Sequence, residues 1–184
     1  MSLTYLDTSA LMRWSEGRSA NTTARNKKIA PVLQSMLADP GRSFACSELT
    51  ILEFHSNLSD RLRDQNEAHY DDEWWTSARN DVLDRIADRH ILVLPTPPRA
   101  FEHVMALITT ATSVLGRKLR AWDALHAVVA AEWANATGSV VEVVTSDADF
   151  NVVMEITGLG TVLRVLNLDL LASTGEAADR ANRP

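Results

Sequence analysis

The chain alternates short, continuous apolar runs with longer stretches in which apolar residues return every three or four positions. Leu3-Thr4-Tyr5-Leu6, Ser43-Phe44-Ala45-Cys46, Ile91-Leu92-Val93-Leu94, Val140 to Thr145 and Thr161 to Leu166 have strand length and are too short for helices. Helical patterns separate them. Thr8 to Trp14 opens the first, with Asp7, Thr8 and Ser9 as N-cap candidates, and a polar loop covers Ser15 to Asn26. Ile29 to Ala38 carries apolar residues at 29, 32, 33, 36 and 37, and Asp39-Pro40-Gly41 stops it. Ser47 to about Arg63 takes its apolar face from Leu49, Ile51, Leu52 and Leu58. Glu73 to Arg89 takes its face from Trp74, Trp75, Ala78, Val82, Leu83 and Ile86, and Arg99 to Leu115 ends at Gly116. Asp123 to about Ala136 is apolar on nearly every side, the pattern of a helix buried on a sheet, and a short helix spans Ala148 to Ile156.

Strands separated by helices imply an α/β fold: three α/β/α layers around a mostly parallel five-stranded sheet. One domain is expected over residues 1–171, with an extended helical region at about 58–90 and a flexible C-terminal tail at 172–184, where few large apolar groups remain.

At 184 residues the chain can bury roughly 70% of its unfolded surface. No apolar run approaches the roughly 20 residues of a membrane span, and Asp7 and Arg13 interrupt the apolar core a signal peptide would need. The single cysteine, Cys46, leaves no internal disulfide framework and suits a reducing cytoplasm, the expected location. A formal net charge of −6 argues against nucleic-acid binding through a broad basic face. Cations do cluster at Arg25-Asn26-Lys27-Lys28 and Arg117-Lys118-Leu119-Arg120, and a metal held among acids would neutralise part of the excess.

Four acids carry the candidate chemistry. Asp7 follows the first strand, Asp147 the fourth, Asp123 opens the apolar helix, and Glu53 sits inside a helix between Leu52 and Phe54, where an unpaired carboxylate is costly to bury. Open α/β sheets bind ligands at the carboxyl ends of their strands, where strand order reverses. Carboxylates gathered there cannot all ionise without a counter-charge, and oxygen-only ligands point to Mg²⁺, with Mn²⁺ as a substitute. Asp7 and Asp123 are best placed to touch the ion, Asp147 completes the site directly or through water, and Glu53 reaches back from its helix. Taken singly, Asp7, Asp123 and Asp147 each precede a helix, where capping explains an aspartate as well as ligation does. Thr8 and Ser9 are placed to orient Asp7, and Thr145 or Ser146 to orient Asp147; Asp149 reads as a helix N-terminal acid. Arg117, Lys118 and Arg120 read first as a solvated charge run and second as phosphate contacts. Trp74, Trp75 and Trp122 read as packing residues before base-stacking ones. His126 reads as a packed, hydrogen-bonded histidine, since no second His lies at ligand spacing. No Ser–His–Asp elbow, phosphate-cradling Gly-rich loop or zinc-spaced Cys/His set is present in the sequence.

The acids sit in four ordered segments: Tyr5-Leu6-Asp7-Thr8-Ser9-Ala10-Leu11, Leu49-Thr50-Ile51-Leu52-Glu53-Phe54, Trp122-Asp123-Ala124-Leu125-His126-Ala127 and Thr145-Ser146-Asp147-Ala148-Asp149-Phe150. Together these resemble the PIN-domain ribonucleases, and among them the VapC-type toxins of bacterial toxin–antitoxin pairs. The resemblance implies an Mg²⁺-dependent endoribonuclease that hydrolyses RNA phosphodiester bonds at Asp7, Glu53, Asp123 and Asp147. It further implies a homodimer whose groove is masked by the C-terminal segment of a small antitoxin. The segment from about Asn66 to Asn80 and the chain after Leu171 depart from compact members of that family. A catalytically inactive PIN-like RNA-binding or scaffold module is the alternative. An aspartyl-phosphate phosphatase is set aside, because Thr8-Ser9 follows Asp7 where that chemistry needs a second acid two residues on.

Overall fold

The computed structural model describes residues 2–19, 22–63, 70–156 and 158–181, with the backbone alone for Asp149 and 175–181. In chain order β1 (Ser2–Leu6) leads to α1 (Thr8–Gly17) and α2 (Ala24–Leu37), β2 (Arg42–Ser47) to α3 (Glu48–Arg63) and α4 (Asp72–Ala87), and β3 (Ile91–Leu94) to α5 (Ala100–Ser113) and α6 (Ala121–Thr137). Then β4 (Val141–Thr145), a 3₁₀ turn over Ala148–Asn151, α7 (Val152–Glu155), α8 (Leu159–Val162), β5 (Leu163–Asn167) and α9 (Leu168–Ala181) complete it.

All five strands are parallel, in the order β3-β2-β1-β4-β5. The chain lays strands outward on one side of β1, then returns to place β4 on the other. Strand order therefore reverses between β1 and β4, the position at which open α/β sheets leave a crevice. Alternation along β1 fills two cores: Tyr5 belongs to the one beneath α5 and α6, while Leu6 belongs to the one with Leu11, Trp14, Phe54 and Leu58 beneath α1 to α4. Helix α6 buries ten residues on all sides, including Ala124, Ala127, Ala130 and Ala131, and small side chains let it lie close to the sheet. Gly138, at φ 62°, ends it in the left-handed conformation that a side chain disfavours. On the opposite layer, a Cβ on Gly17 would lie 2.3 Å from the Ala30 Cβ and 2.6 Å from the Asn26 carbonyl, so this glycine permits α1 and α2 to touch.

The three-layer architecture and five parallel strands agree with the expectation, and three local readings change. The polar stretch Ser15 to Asn26 contains the end of α1 and the start of α2, because the Thr23 hydroxyl caps α2 by accepting from the Asn26 amide at 3.2 Å. Helix α3 turns Thr50, Phe54 and Leu58 inward and leaves Leu52 66% exposed, so its buried face is set by the 50-54-58 row. The expected tail from residue 172 instead continues α9 to Ala181. Leu168 and Ala172, one turn apart, are buried in the second core, and Arg25 on α2 pairs with Asp169 at 2.6 Å. Of the extended region, 64–69 lies outside the described residues, and α4 begins where Asp71 accepts from the Trp74 amide at 2.8 Å. Among the described residues, no helix is long and apolar enough to cross a membrane.

Candidate functional site

At the carboxyl edge of β1 and β4, Asp7, Glu53, Asp123 and Asp147 line a single cavity of about 200 Å³, together with Thr8, Ser9, Asn57, Arg120, Trp122 and His126. Residues spread over three helices and two strand ends thus converge as the sequence reading expected. Each is delivered by a different local device.

Asp7 leaves β1 with its amide still bonded to the Val144 carbonyl at 3.2 Å, which locks the β1 end against β4. Its carboxylate caps α1: Oδ1 accepts from the Ala10 amide at 2.8 Å, and the Ser9 hydroxyl donates across Oδ1 and Oδ2 at 2.9 and 3.1 Å. Capping and site membership are therefore not alternatives for this residue. Burial raises the Asp7 carboxyl above the ordinary aspartate range, against the opposing pull of the His126 charge and of hydrogen bonds from Thr145, Ala10 and Ser9. The Ser9 oxygen also accepts from the Ser146 amide at 2.8 Å, so one hydroxyl ties Asp7 to the end of β4.

Glu53 projects from α3 onto Thr8 and His126. The Thr8 hydroxyl donates to its Oε2 at 2.5 Å, and His126 Nε2 lies 3.3 Å from the same oxygen. Thr8 serves Glu53, then, and Asp7 is left to Ser9. Tyr5 OH stands 2.9 Å from His126 Nδ1, and a carboxylate can only accept. Nε2–H therefore donates to Glu53, and Nδ1 meets the Tyr5 phenol, whose titration is pushed upward by complete burial. His126 is accordingly the hydrogen-bonded histidine expected, though it is bonded to a member of the site. Its hydrogen bond is the leading reason the Glu53 carboxyl titrates below the ordinary glutamate range; burial opposes it, and Thr8 and the charges of His126 and Arg120 assist.

Asp123 lies in the first turn of α6 and makes no cap, since Arg120 is the N-cap residue and its side chain forms no capping bond. Instead Arg120 Nε donates to Asp123 Oδ2 at 2.8 Å, its NH2 lies 3.4 Å from Asp123 Oδ1, and the same NH2 pairs with Asp147 Oδ2. The Asp147 amide donates to Thr145 Oγ1 at 2.9 Å, the support expected from a strand-end hydroxyl. The side chain of Asp149 is outside the description. Of the expected cation run, Arg120 enters the site, whereas Arg117 reaches Glu155 at 3.4 Å. Trp122 is half exposed on the rim, while Trp74 is buried and donates to the Ser15 carbonyl at 3.2 Å. Asn57 was not singled out from sequence, although it stands one turn after Glu53 on the same helix face, the spacing that would have found it.

The donor set, four carboxylates joined by hydroxyls, suits a hard divalent cation in its chemistry. Among the described residues, however, no three His, Cys, Asp or Glu side chains form a group disposed around one ion position. The bonds above explain why: Asp7 is turned to Ala10 and Ser9, Glu53 to Thr8 and His126, and the guanidinium of Arg120 stands between Asp123 and Asp147. Arg120 supplies part of the counter-charge that the sequence reading gave to a metal alone, and His126 hydrogen-bonds Glu53.

Comparison with known proteins bears on this arrangement. No curated protein sequence matches the chain. Among solved structures, it is similar to FitAB bound to an IR36 DNA fragment at 18% identity, covering 90% of this chain and 95% of that one with a TM-score of 0.57. It is similar to VapBC-5 of the VapBC toxin–antitoxin family from Mycobacterium tuberculosis at 18% identity, covering 91% and 99%, with a TM-score of 0.53. A third likeness is to VapBC2 from Rickettsia felis bound to a DNA fragment from its promoter, at 15% identity, 89% and 98% coverage and a TM-score of 0.54. At such identities these likenesses concern the fold. The PIN domain model matches residues 4–155, a span that holds all four acids, and the chain belongs to the PIN domain family.

Proposed function

We propose that this PIN domain is a Mg²⁺-dependent endoribonuclease and the toxin of a toxin–antitoxin pair. The observation that carries the nuclease reading is the convergence of Asp7, Glu53, Asp123 and Asp147 on one cavity at the point where strand order reverses. Domains of this family are nucleases that typically use a divalent metal. Asp7, Asp123, Glu53 and Asp147 would hold the ion. When bound, it would supply a water of lowered pKa and neutralise charge on the departing oxygen.

The chain's own residues do the positioning. Ser9 fixes the Asp7 carboxylate from the β4 side; Thr8 and the Tyr5–His126 pair fix Glu53. Because those partners are bonded in turn, the carboxylates are held before substrate arrives, which spares the cost of ordering them during reaction. Arg120, on the rim beside Trp122, is the cation within reach of a phosphodiester lying across the cavity.

The partner reading rests on the likeness to complexes of the VapBC and FitAB kind, which are toxin–antitoxin or DNA-bound assemblies in their own right. A small antitoxin and a second copy of this chain are the partners proposed. Purified chain incubated with single-stranded RNA and Mg²⁺ tests the activity. Asp123→Asn and Asp7→Asn should keep the wild-type circular dichroism and lose cleavage by orders of magnitude. Undiminished, EDTA-insensitive cleavage by those variants rejects the proposal.

A further inference from the structure

Beside the acid cavity lies a second one of about 410 Å³, and Ser9 and Asn57 line both. Its other walls include Arg13 and Glu16 of α1 and Asp60 and Arg61 of α3. Glu16 is 1% exposed, a carboxylate deep enough to require full compensation. It receives Arg13 NH1 at 3.0 Å and Asn26 Nδ2 at 2.8 Å on Oε2, and Arg61 Nε at 2.9 Å on Oε1. Asn26 in turn accepts from Arg13 NH1 at 3.2 Å.

Here two guanidinium groups converge on the Glu16 carboxylate, from two helices, at the wall of a cavity that shares Ser9 and Asn57 with the acid cavity. Each is held in place by a group beneath it, so the fork is oriented in advance, which is what bidentate phosphate recognition exploits. Asp60 in the same lining brings the formal sum of these four side chains to zero. Attraction here is therefore short-ranged and directional, and it does not act as a steering field.

We infer that this cavity is a phosphate subsite, in which Arg13 and Arg61 grip the RNA backbone beside the phosphodiester that lies over the four acids. The inference rests on the ribonuclease reading above. A polyanion laid across a cluster of carboxylates needs cations close by, and a strand leaving the acid cavity past Ser9 and Asn57 enters this one. Because the grip lies off the reacting bond, its contribution appears in RNA affinity and KM more than in kcat.

The test is binding of a fluorescent single-stranded RNA to the full chain in the Asp7→Asn background, in EDTA, as a function of KCl. Arg13→Gln and Arg61→Gln each keep an amide donor toward Glu16 and should weaken binding three- to tenfold. The slope of log affinity against log salt should fall by about 0.7, the value of one lost phosphate contact on a single strand. Arg99→Gln, a cation removed from the start of α5, should change neither. If a glutamine variant melts early, Arg61→Lys decides, since it keeps the charge and should keep the slope while losing affinity with the fork. Folded variants with wild-type affinity and slope overturn the subsite, as does loss of antitoxin binding with RNA binding intact. A wild-type chain that cleaves RNA alongside unaffected arginine variants refutes this inference alone, and one that neither binds nor cleaves RNA refutes the ribonuclease reading with it.

Discussion

Asp7→Asn should make the metal-free protein more stable while abolishing its activity. Asp7 is 4% exposed, and burial is the dominant influence on its carboxyl, which titrates above the ordinary range. The sign follows from linkage: a folded state that binds the proton more readily than the unfolded chain is weakened by ionisation of Asp7 at neutral pH and relieved as pH falls through the raised value. Each pH unit of that elevation is worth about 1.4 kcal/mol. Asparagine removes the charge and keeps the shape, and its Oδ1 can still accept from the Ala10 amide that Asp7 now caps at 2.8 Å. The Ser9 hydroxyl, 3.1 Å from Oδ2, can rotate to accept from the new Nδ2–H. Asp7→Ala sheds the same charge and also the cap, which costs about 1 kcal/mol. For a chain of this length about 1 kcal/mol moves Tm by roughly 2–4 °C. Thermal melts in EDTA at pH 7 should therefore rank Asn above wild type, with Ala a few degrees below Asn. Adding Mn²⁺ should then raise the wild type and leave both variants nearly unmoved, because only a ligand that binds the folded state stabilises it. An asparagine variant less stable than wild type in EDTA would refute the claim that a desolvated charge at Asp7 is held in waiting for a cation.

Two further expectations concern the same network and a third the contact between α1 and α2. Arg120→Gln withdraws the guanidinium shared by Asp123 and Asp147; because Arg120 is half exposed and such a pair is worth at most about 1 kcal/mol, Mn²⁺ affinity by calorimetry should tighten by up to about fivefold. Weakened ion binding would show that Arg120 supports the site and does not compete for it. Glu53 contributes stability above the ordinary glutamate range, and that contribution is lost as pH falls through its lowered folded value. The Tm difference between wild type and Glu53→Gln should thus shrink on acidification below about pH 4, and a gap independent of pH would remove the ion-pair reading of His126 and Glu53. Gly17→Ala should cost about 1–3 kcal/mol by overpacking, since the new methyl group meets Ala30 and Asn26 at 2.3 and 2.6 Å; an unchanged denaturation midpoint would contradict that close approach.

The sequence made the sheet legible because its central strands are buried on both faces and read as short apolar runs, as the run ending at Thr145 does, while edge strand β3 keeps an apolar run although Leu92 and Val93 are exposed. It made the acids legible because Asp7, Asp123 and Asp147 each follow a strand or open a helix, and Glu53 interrupts the apolar pair Leu52 and Phe54 inside one. What it hid depends on rotation and reach. Leu52 and Phe54 are equally apolar neighbours, and only the tertiary partner decides that Phe54 turns inward while Leu52 faces solvent. The start of α2 was hidden because Thr23 caps it from within a polar stretch that offers no apolar stripe of its own. In α9, Leu168 and Ala172 anchor a helix through two inward positions, too few to stand out from the polar residues around them.

The counter-charge is the most instructive of these gaps. Four converging carboxylates demand compensation, and from residue types alone a divalent ion is the economical source. In the folded chain part of the demand is met from within: Arg120 spans Asp123 and Asp147, His126 hydrogen-bonds Glu53, and Asp7 accepts from neutral donors with its carboxyl driven upward by burial. The acid without a cation of its own is therefore the one at the β1–β4 switch. A divalent ion held as proposed would gain most from Asp7, and withdrawal of Arg120 would leave the Asp123 and Asp147 carboxylates to it as well. On the proposed reading the arginine compensates these two carboxylates without metal, and from the rim, three residues ahead of Asp123, it would be the cation that meets a phosphate.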